Sequence, residues 1–306
     1  MRRTTRIAGA LAGIAIAALA LSACNSGSPG GSGGTGGATD DAGGDAALWE
    51  VATDVKLDGS PTFDAMTDRG KVVIGVKNDQ PGLGYEDAAT GERSGFDIGI
   101  AQWIAASLGF GEDQIEYQTI PSANREQALV NGDIDYYVGT YSITDKRKEQ
   151  IDFAGPYFIT GQGLLVAADN TDINGPDDLA GKIVCSVTGS TPLQRIRDEY
   201  NPGDTVEYDT YSQCVEQLKA GAVDAITTDE AILAGYVAQD PDALKIAGKP
   251  FSEERYGVGL QKGDTVLQEH INTLFTDGND VWQALFDENL APAGITGEQP
   301  EVDPTS

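Results

Sequence analysis

"LVNGDID" at residues 129–135 and "LKAGAVD" at residues 218–224 share one pattern, L-x-x-G-x-[I/V]-D. In each copy a helical pattern stops at a glycine and a β-branched run begins. Two units of similar topology are therefore expected, with convergent helix-stop chemistry as the competing source of so short a match. The surroundings repeat the alternation. "KVVIGV", "IEYQTI", "IDYYVG", "KIVCSV", "TVEYDT" and "VDAITT" read as strands. "FDIGIAQWIAASLG", "SANREQALVNG", "TPLQRIRDEY", "SQCVEQLKAG" and "DEAILAGYVA" read as helices. Strand and helix in turn imply an α/β protein with largely parallel sheets. Thr140 and Asp229 hold the same place after the shared aspartate. Both fall at the carboxyl end of a strand, where open α/β sheets bind ligands.

The N-terminus fixes the compartment. Arg2, Arg3 and Arg6 precede an uninterrupted apolar run from Ile7 to Leu21. A spanning helix needs roughly 20 apolar residues, so this run suits a signal-peptide core instead. "LSAC", Leu21–Cys24, resembles the bacterial lipobox, which implies removal of residues 1–23 and a lipid on Cys24. Residues 24–47 are rich in Gly and Ser and serve as a flexible tether. The expectation is an extracytoplasmic body, lipid-anchored to the outer face of the cell membrane. With 48 Asp+Glu against 20 Lys+Arg, nucleic acid is excluded as a partner and an anion must be bound by locally gathered cations. Cys185 and Cys214 remain after Cys24 is assigned. They are either a disulfide, which an oxidising compartment favours, or two buried thiols.

The segments "GYEDAATGERSGFDIGIAQWIAASLG", "NGDIDYYVGTYSITDKRKEQIDFAGPYF" and "LKAGAVDAITTDEAIL" resemble the family 3 bacterial extracellular solute-binding proteins, the polar amino acid binders of ABC importers. Within it the similarity is to glutamate/aspartate-binding lipoproteins of Gram-positive actinobacterial type. The resemblance implies a two-lobed, periplasmic-binding-protein-like type II fold with two hinge crossings and a ligand cleft between the lobes. Lobe 1 would be discontinuous, 48–163 plus 257–306, and lobe 2 would be 164–256. It further implies a monomer without cofactor or metal, binding L-glutamate or L-aspartate and delivering it to membrane permease subunits. Glutamine is the runner-up ligand. A dehydratase on the same fold is the enzymatic alternative, against which stands a chain with one histidine, His270, and no nucleophile or metal signature.

The family's site maps onto this sequence as follows. Ser142, Arg147 and the backbone N–H of Thr140 would hold the ligand α-carboxylate, with Arg147 offering a planar fork. Asp229 would take the α-ammonium, its alternative role being the N-cap of the following helix. Thr188, in "VTGST", would add donors at a helix N-terminus. Tyr211 would touch the ligand from the second lobe. Lys77 and Arg125 would converge on a side-chain carboxylate; the bland alternative makes both surface charges. Lys146 and Lys148 are read as solvated.

Overall fold

The computed structural model describes residues 48–305. The apolar segment, Cys24 and the Gly/Ser-rich tether lie outside the described residues. Two five-stranded sheets organise the body. The first is built from β1 (Val72–Val76), β5 (Ile115–Thr119), β6 (Tyr136–Val138), β7 (Ile151–Thr160) and β13 (Glu254–Gln261), in the order β5-β1-β6-β13-β7. The second uses β8 (Gln162–Ala167), β9 (Ile183–Val187), β10 (Asp204–Tyr208), β11 (Ala225–Asp229) and β12 (Leu244–Ala247), in the order β10-β9-β11-β8-β12. A small antiparallel sheet of β2 (Asp79–Gln80), β3 (Gly84–Glu86) and β4 (Arg93–Ser94) lies beside them.

The two large sheets are copies in topology. β1 pairs in parallel with β5 and β6, and β9 does so with β10 and β11. The sequence echo has the same physical job in both. Gly132 and Gly221 turn at φ 73° and 68°, the left-handed region that glycine enters without strain. The aspartate that follows then anchors the neighbouring strand: Asp135 Oδ2 accepts from Val73 N at 2.6 Å, and Asp224 Oδ2 from Ile183 N at 2.7 Å. Convergent helix-stop chemistry alone does not require that second bond.

The sheets are mixed rather than largely parallel in their pairing, because one strand in each runs against the other four. These are β13 and β8. Each carries the chain in from the opposite sheet, so each starts at the edge where the parallel strands end. The first passage is the single residue Gly161 between β7 and β8; the second is 248–253 between β12 and β13. The passages hold each other, with Phe251 N donating to Gln162 O at 2.8 Å and Gln162 N to Ser252 Oγ at 3.0 Å.

Helices cover both sheets. Around the first lie α1 (Pro61–Arg69), α2 (Phe96–Ser107), α3 (Arg125–Asn131), α4 (Asp145–Lys148), α8 (Thr265–Asp277) and α9 (Asn279–Asn289); around the second lie α5 (Thr191–Glu199), α6 (Tyr211–Lys219) and α7 (Glu230–Gln239). Local chemistry starts several of them. Ser60 caps α1, Ser190 caps α5, and Thr210 caps α6 in a box with Gln213. Cys185 on β9 and Cys214 on α6 form a disulfide with Cα atoms 5.7 Å apart, pinning that helix to its sheet. Their sequence separation is 29. Closing such a loop stabilises a fold by roughly 3–4 kcal/mol. The double variant Cys185→Ser/Cys214→Ser should therefore lose about that much in a denaturant titration, and reductant should reproduce the loss in the parent; an unchanged midpoint would show that the bond adds nothing.

Candidate functional site

The carboxyl edge of the first sheet gathers cations. Lys77 follows β1 directly, and Arg125 opens α3. They are only 4% and 2% exposed, so neither is a surface charge. Lys77 Nζ donates to Ser122 Oγ at 2.8 Å. Arg125 lies over the Tyr141 ring, 4.1 Å from its centroid, and makes one long contact to Thr140 O at 3.5 Å; its Nε is buried without a partner. Neither forms an ion pair among the described residues. Burial, reinforced by the Arg125 charge, pushes Lys77 down to about 7. Buried cations of this kind are costly unless a counter-charge reaches them.

Arg147 belongs to the same group. It sits in the short helix α4, started by the Thr144 hydroxyl, and is buried while its neighbour Lys146 is exposed. Burial and then repulsion from Arg125 lower it to about 10. Its guanidinium donates to Glu126 Oε1 at 3.0 Å, Ser142 O at 2.6 Å and, across the cleft, Gly189 O at 3.1 Å. The fork is thus partly committed to protein, with two of its five donors left over. Ser142 Oγ reaches Thr191 Oγ1 of the second sheet's helix at 3.3 Å. Arg147, Thr188 and Gly189 line a cleft of about 590 Å³ between the two halves, whereas Lys77, Arg125, Thr140, Ser142, Tyr211 and Asp229 lie outside its lining.

Asp229 answers from the second sheet. It ends β11 at the N-cap position of α7, yet makes no capping bond. Its side chain turns away instead: Oδ2 accepts from Tyr256 Oη at 2.7 Å, and Oδ1 is buried with no partner. Burial, with the Glu254 charge adding, raises it to about 7, and the charges of Arg125 and Arg195 pull the other way. Tyr211 is buried at the start of α6, pushed up to about 12 by burial and next by the charge of Asp229. Arg125 is therefore near enough to Lys77, Arg147 and Asp229 for its charge to be felt at all three. Thr188 is only partly buried, and its N–H is taken by Tyr208 O at 3.0 Å.

Two expected roles are corrected by these contacts. The Thr140 N–H does not face a ligand; it donates to Asp97 Oδ2 at 2.9 Å, while the hydroxyl donates to Gln80 Oε1 at 3.1 Å. The physical reason is a buried carboxylate beneath a left-handed corner, since Thr140 has φ 45°. That leaves the Thr140 carbonyl, which meets Arg125, as its contribution to the edge. The capping role of Asp229 fails because Tyr256 captures the carboxylate. Asp97 is itself a missed residue: fully buried, bonded also by Tyr157 Oη at 2.8 Å, and raised to about 6 by burial. Tyr141, Glu126 and Tyr256 were missed too. Only Asp97, in the first turn of α2 within "GFDI", had a signal in sequence.

One edge thus presents three buried cations, and the facing edge a buried carboxylate with a partnerless oxygen. A molecule carrying both signs of charge fits such an arrangement. The chain is 37% identical to the glutamate-binding protein GluB of Corynebacterium efficiens over 94% of this chain and 92% of that one. It is 39% identical to the ABC transporter glutamine-binding protein GlnH of Bacillus subtilis over 69% and 77%. An ancestral arginine-binding protein bound to arginine superposes with a TM-score of 0.65 at 32% identity, over 72% of this chain and 98% of that one. Residues 72–287 match the family model for bacterial extracellular solute-binding proteins, family 3. With most of the body inside that match, this chain belongs to the bacterial extracellular solute-binding proteins, family 3.

Proposed function

We propose that the chain is the extracytoplasmic binding lipoprotein of an ABC importer, capturing an acidic amino acid, L-glutamate or its shorter congener L-aspartate. Arg147 and Ser142 hold the α-carboxylate, and Asp229 takes the α-ammonium from the other side. Lys77 and Arg125 receive the side-chain carboxylate, and Tyr211 and the Thr188 loop close over the ligand. The observation that carries the acidic preference is the pair Lys77 and Arg125, buried together and without an ion pair among the described residues. The likeness to a protein named as glutamate-binding supports it. In this reading the expected lobe bounds, 48–163 plus 257–306 and 164–256, move by two to three residues, so that β8 from Gln162 belongs wholly to lobe 2 and β13 from Glu254 wholly to lobe 1. Cys24 bears the lipid that holds a monomeric body near the permease. No bond is made or broken in the ligand; a turnover assay on bound amino acid would reveal a dehydratase instead.

Glutamine is the second reading, favoured by the likeness to a glutamine-binding relative. Lys77→Met separates the two. A charge-assisted bond contributes about 1.5–3 kcal/mol, so glutamate affinity by calorimetry should fall roughly 10- to 150-fold, with glutamine changed far less. Equal weakening of both would show that Lys77 does not read the side chain. The same variant has a second readout. Because Lys77 is depressed on folding, its contribution to stability is complete above the unfolded pKa and is lost as pH falls through about 7. Lys77→Met removes that loss, so the ligand-free variant should melt higher than the parent at pH 6 and alike at pH 11.

A further inference from the structure

Helix α6 begins with a set of N–H groups that its own cap only partly serves. The Thr210 hydroxyl accepts from Gln213 N at 3.4 Å, and Gln213 Oε1 returns a bond to Thr210 N at 3.2 Å. The N–H groups of Tyr211 and Ser212 remain, as the first turn of any helix leaves donors over. Asp79 fills both from the other side of the cleft. Its Oδ2 accepts from Tyr211 N at 2.8 Å and from Ser212 N at 3.2 Å, and the helix N-terminus favours the negative charge. Tyr236 Oη on α7 donates to the Asp79 carbonyl and stands 3.3 Å from its carboxylate. Two helices of the second half therefore converge on one residue of the first.

A separate feature marks the same seam. Gly235 on α7 packs so closely on Pro81, two residues beyond Asp79, that a Cβ there would lie 2.1 Å from the Pro81 carbonyl oxygen. That neighbour is backbone and has no side-chain freedom with which to yield. Only a residue without a side chain lets the halves meet as they do.

We propose that Asp79 is a closure latch: it locks α6 and α7 of the second half onto the first through bonds that include no ligand atom, and so sets the affinity for every ligand by one common factor. Asp79 is a positioning residue, since it acts by holding the first turn of α6, where Tyr211 and Ser212 donate to it. Apparent affinity scales with the fraction of molecules in the competent arrangement, so loss of the latch weakens all ligands alike. The inference rests on the proposed closure of the cleft around an amino acid, but it can be read without any ligand.

The test uses the full chain in detergent, with spin labels on p-acetylphenylalanine at the exposed positions Val130 and Asp198, and pulsed electron resonance to measure the distance between the halves. Asp79→Ala and Gly235→Ala should both move the distribution toward longer distances in buffer alone. By calorimetry both should raise the Kd for glutamate and for glutamine by a similar factor, about tenfold. The Asp79 charge also reaches Lys77, so the equal-factor comparison is decided on Gly235→Ala, and on Asp79→Ala if the glycine variant does not fold by circular dichroism. A folded Asp79→Ala protein whose distance distribution matches the parent's would overturn the latch, whatever Gly235→Ala does. A parent that binds no amino acid would instead overturn the functional reading, while the distances in buffer still decide for or against the latch.

Discussion

Arg147→Ala is expected to lower amino-acid affinity by about two to four orders of magnitude, the loss of two charge-assisted bonds of roughly 1.5–3 kcal/mol each. The effect should fall on every amino acid, because each carries the α-carboxylate that Arg147 is proposed to hold. Arg147→Lys should recover little of it, since an ammonium keeps the charge but not the planar fork. Some stability will go as well: the guanidinium also ties Ser142 O to Gly189 O across the cleft. Circular dichroism and a thermal melt on the same samples separate unfolding from loss of binding. Near-parent affinity in a folded Arg147→Ala protein would remove the α-carboxylate assignment.

Asp229→Asn gives the second large effect, in two directions at once. The amide keeps an oxygen for Tyr256 Oη but carries no charge for an ammonium, so binding should fall by at least about a hundredfold. Stability of the ligand-free protein should move oppositely. A carboxyl whose pKa is raised on folding contributes stability that is complete below the unfolded pKa and is lost as pH rises through the folded one. For Asp229 that window runs from 3.8 to about 7. The variant escapes this loss, so its melting temperature should exceed the parent's at pH 8 and the difference should vanish at pH 3. A parent and variant that melt alike at both pH values would mean that Asp229 is not strained by its burial.

The parts legible in sequence share a short-range cause. The echo at Gly132 and Gly221 was readable because a helix stop and a strand start lie within a few residues. Arg147, Lys77 and Arg125 are legible through the resemblance to the family, and Asp229 through that resemblance and its matching place in the second unit. What stayed hidden depends on distant partners. Nothing in "VGTYS" announces that Thr140 adopts φ 45° over Asp97, 43 residues earlier. The opposed direction of β13 and β8 follows from how the chain passes between sheets, which periodicity does not encode. Strands of two or three residues such as β2 and β4 are too short to show a period. Asp79 carries no signal in the sequence because its partners are backbone N–H groups 132 and 133 residues away.

Calorimetric titration of the parent protein with L-glutamate, glutarate and 4-aminobutanoate addresses the two-ended grip most directly. Glutarate lacks the ammonium that Asp229 is proposed to hold, and 4-aminobutanoate lacks the α-carboxylate proposed for Arg147. Glutamate should bind at least about a hundredfold more tightly than either. Comparable affinity for glutarate, or for 4-aminobutanoate, would contradict it.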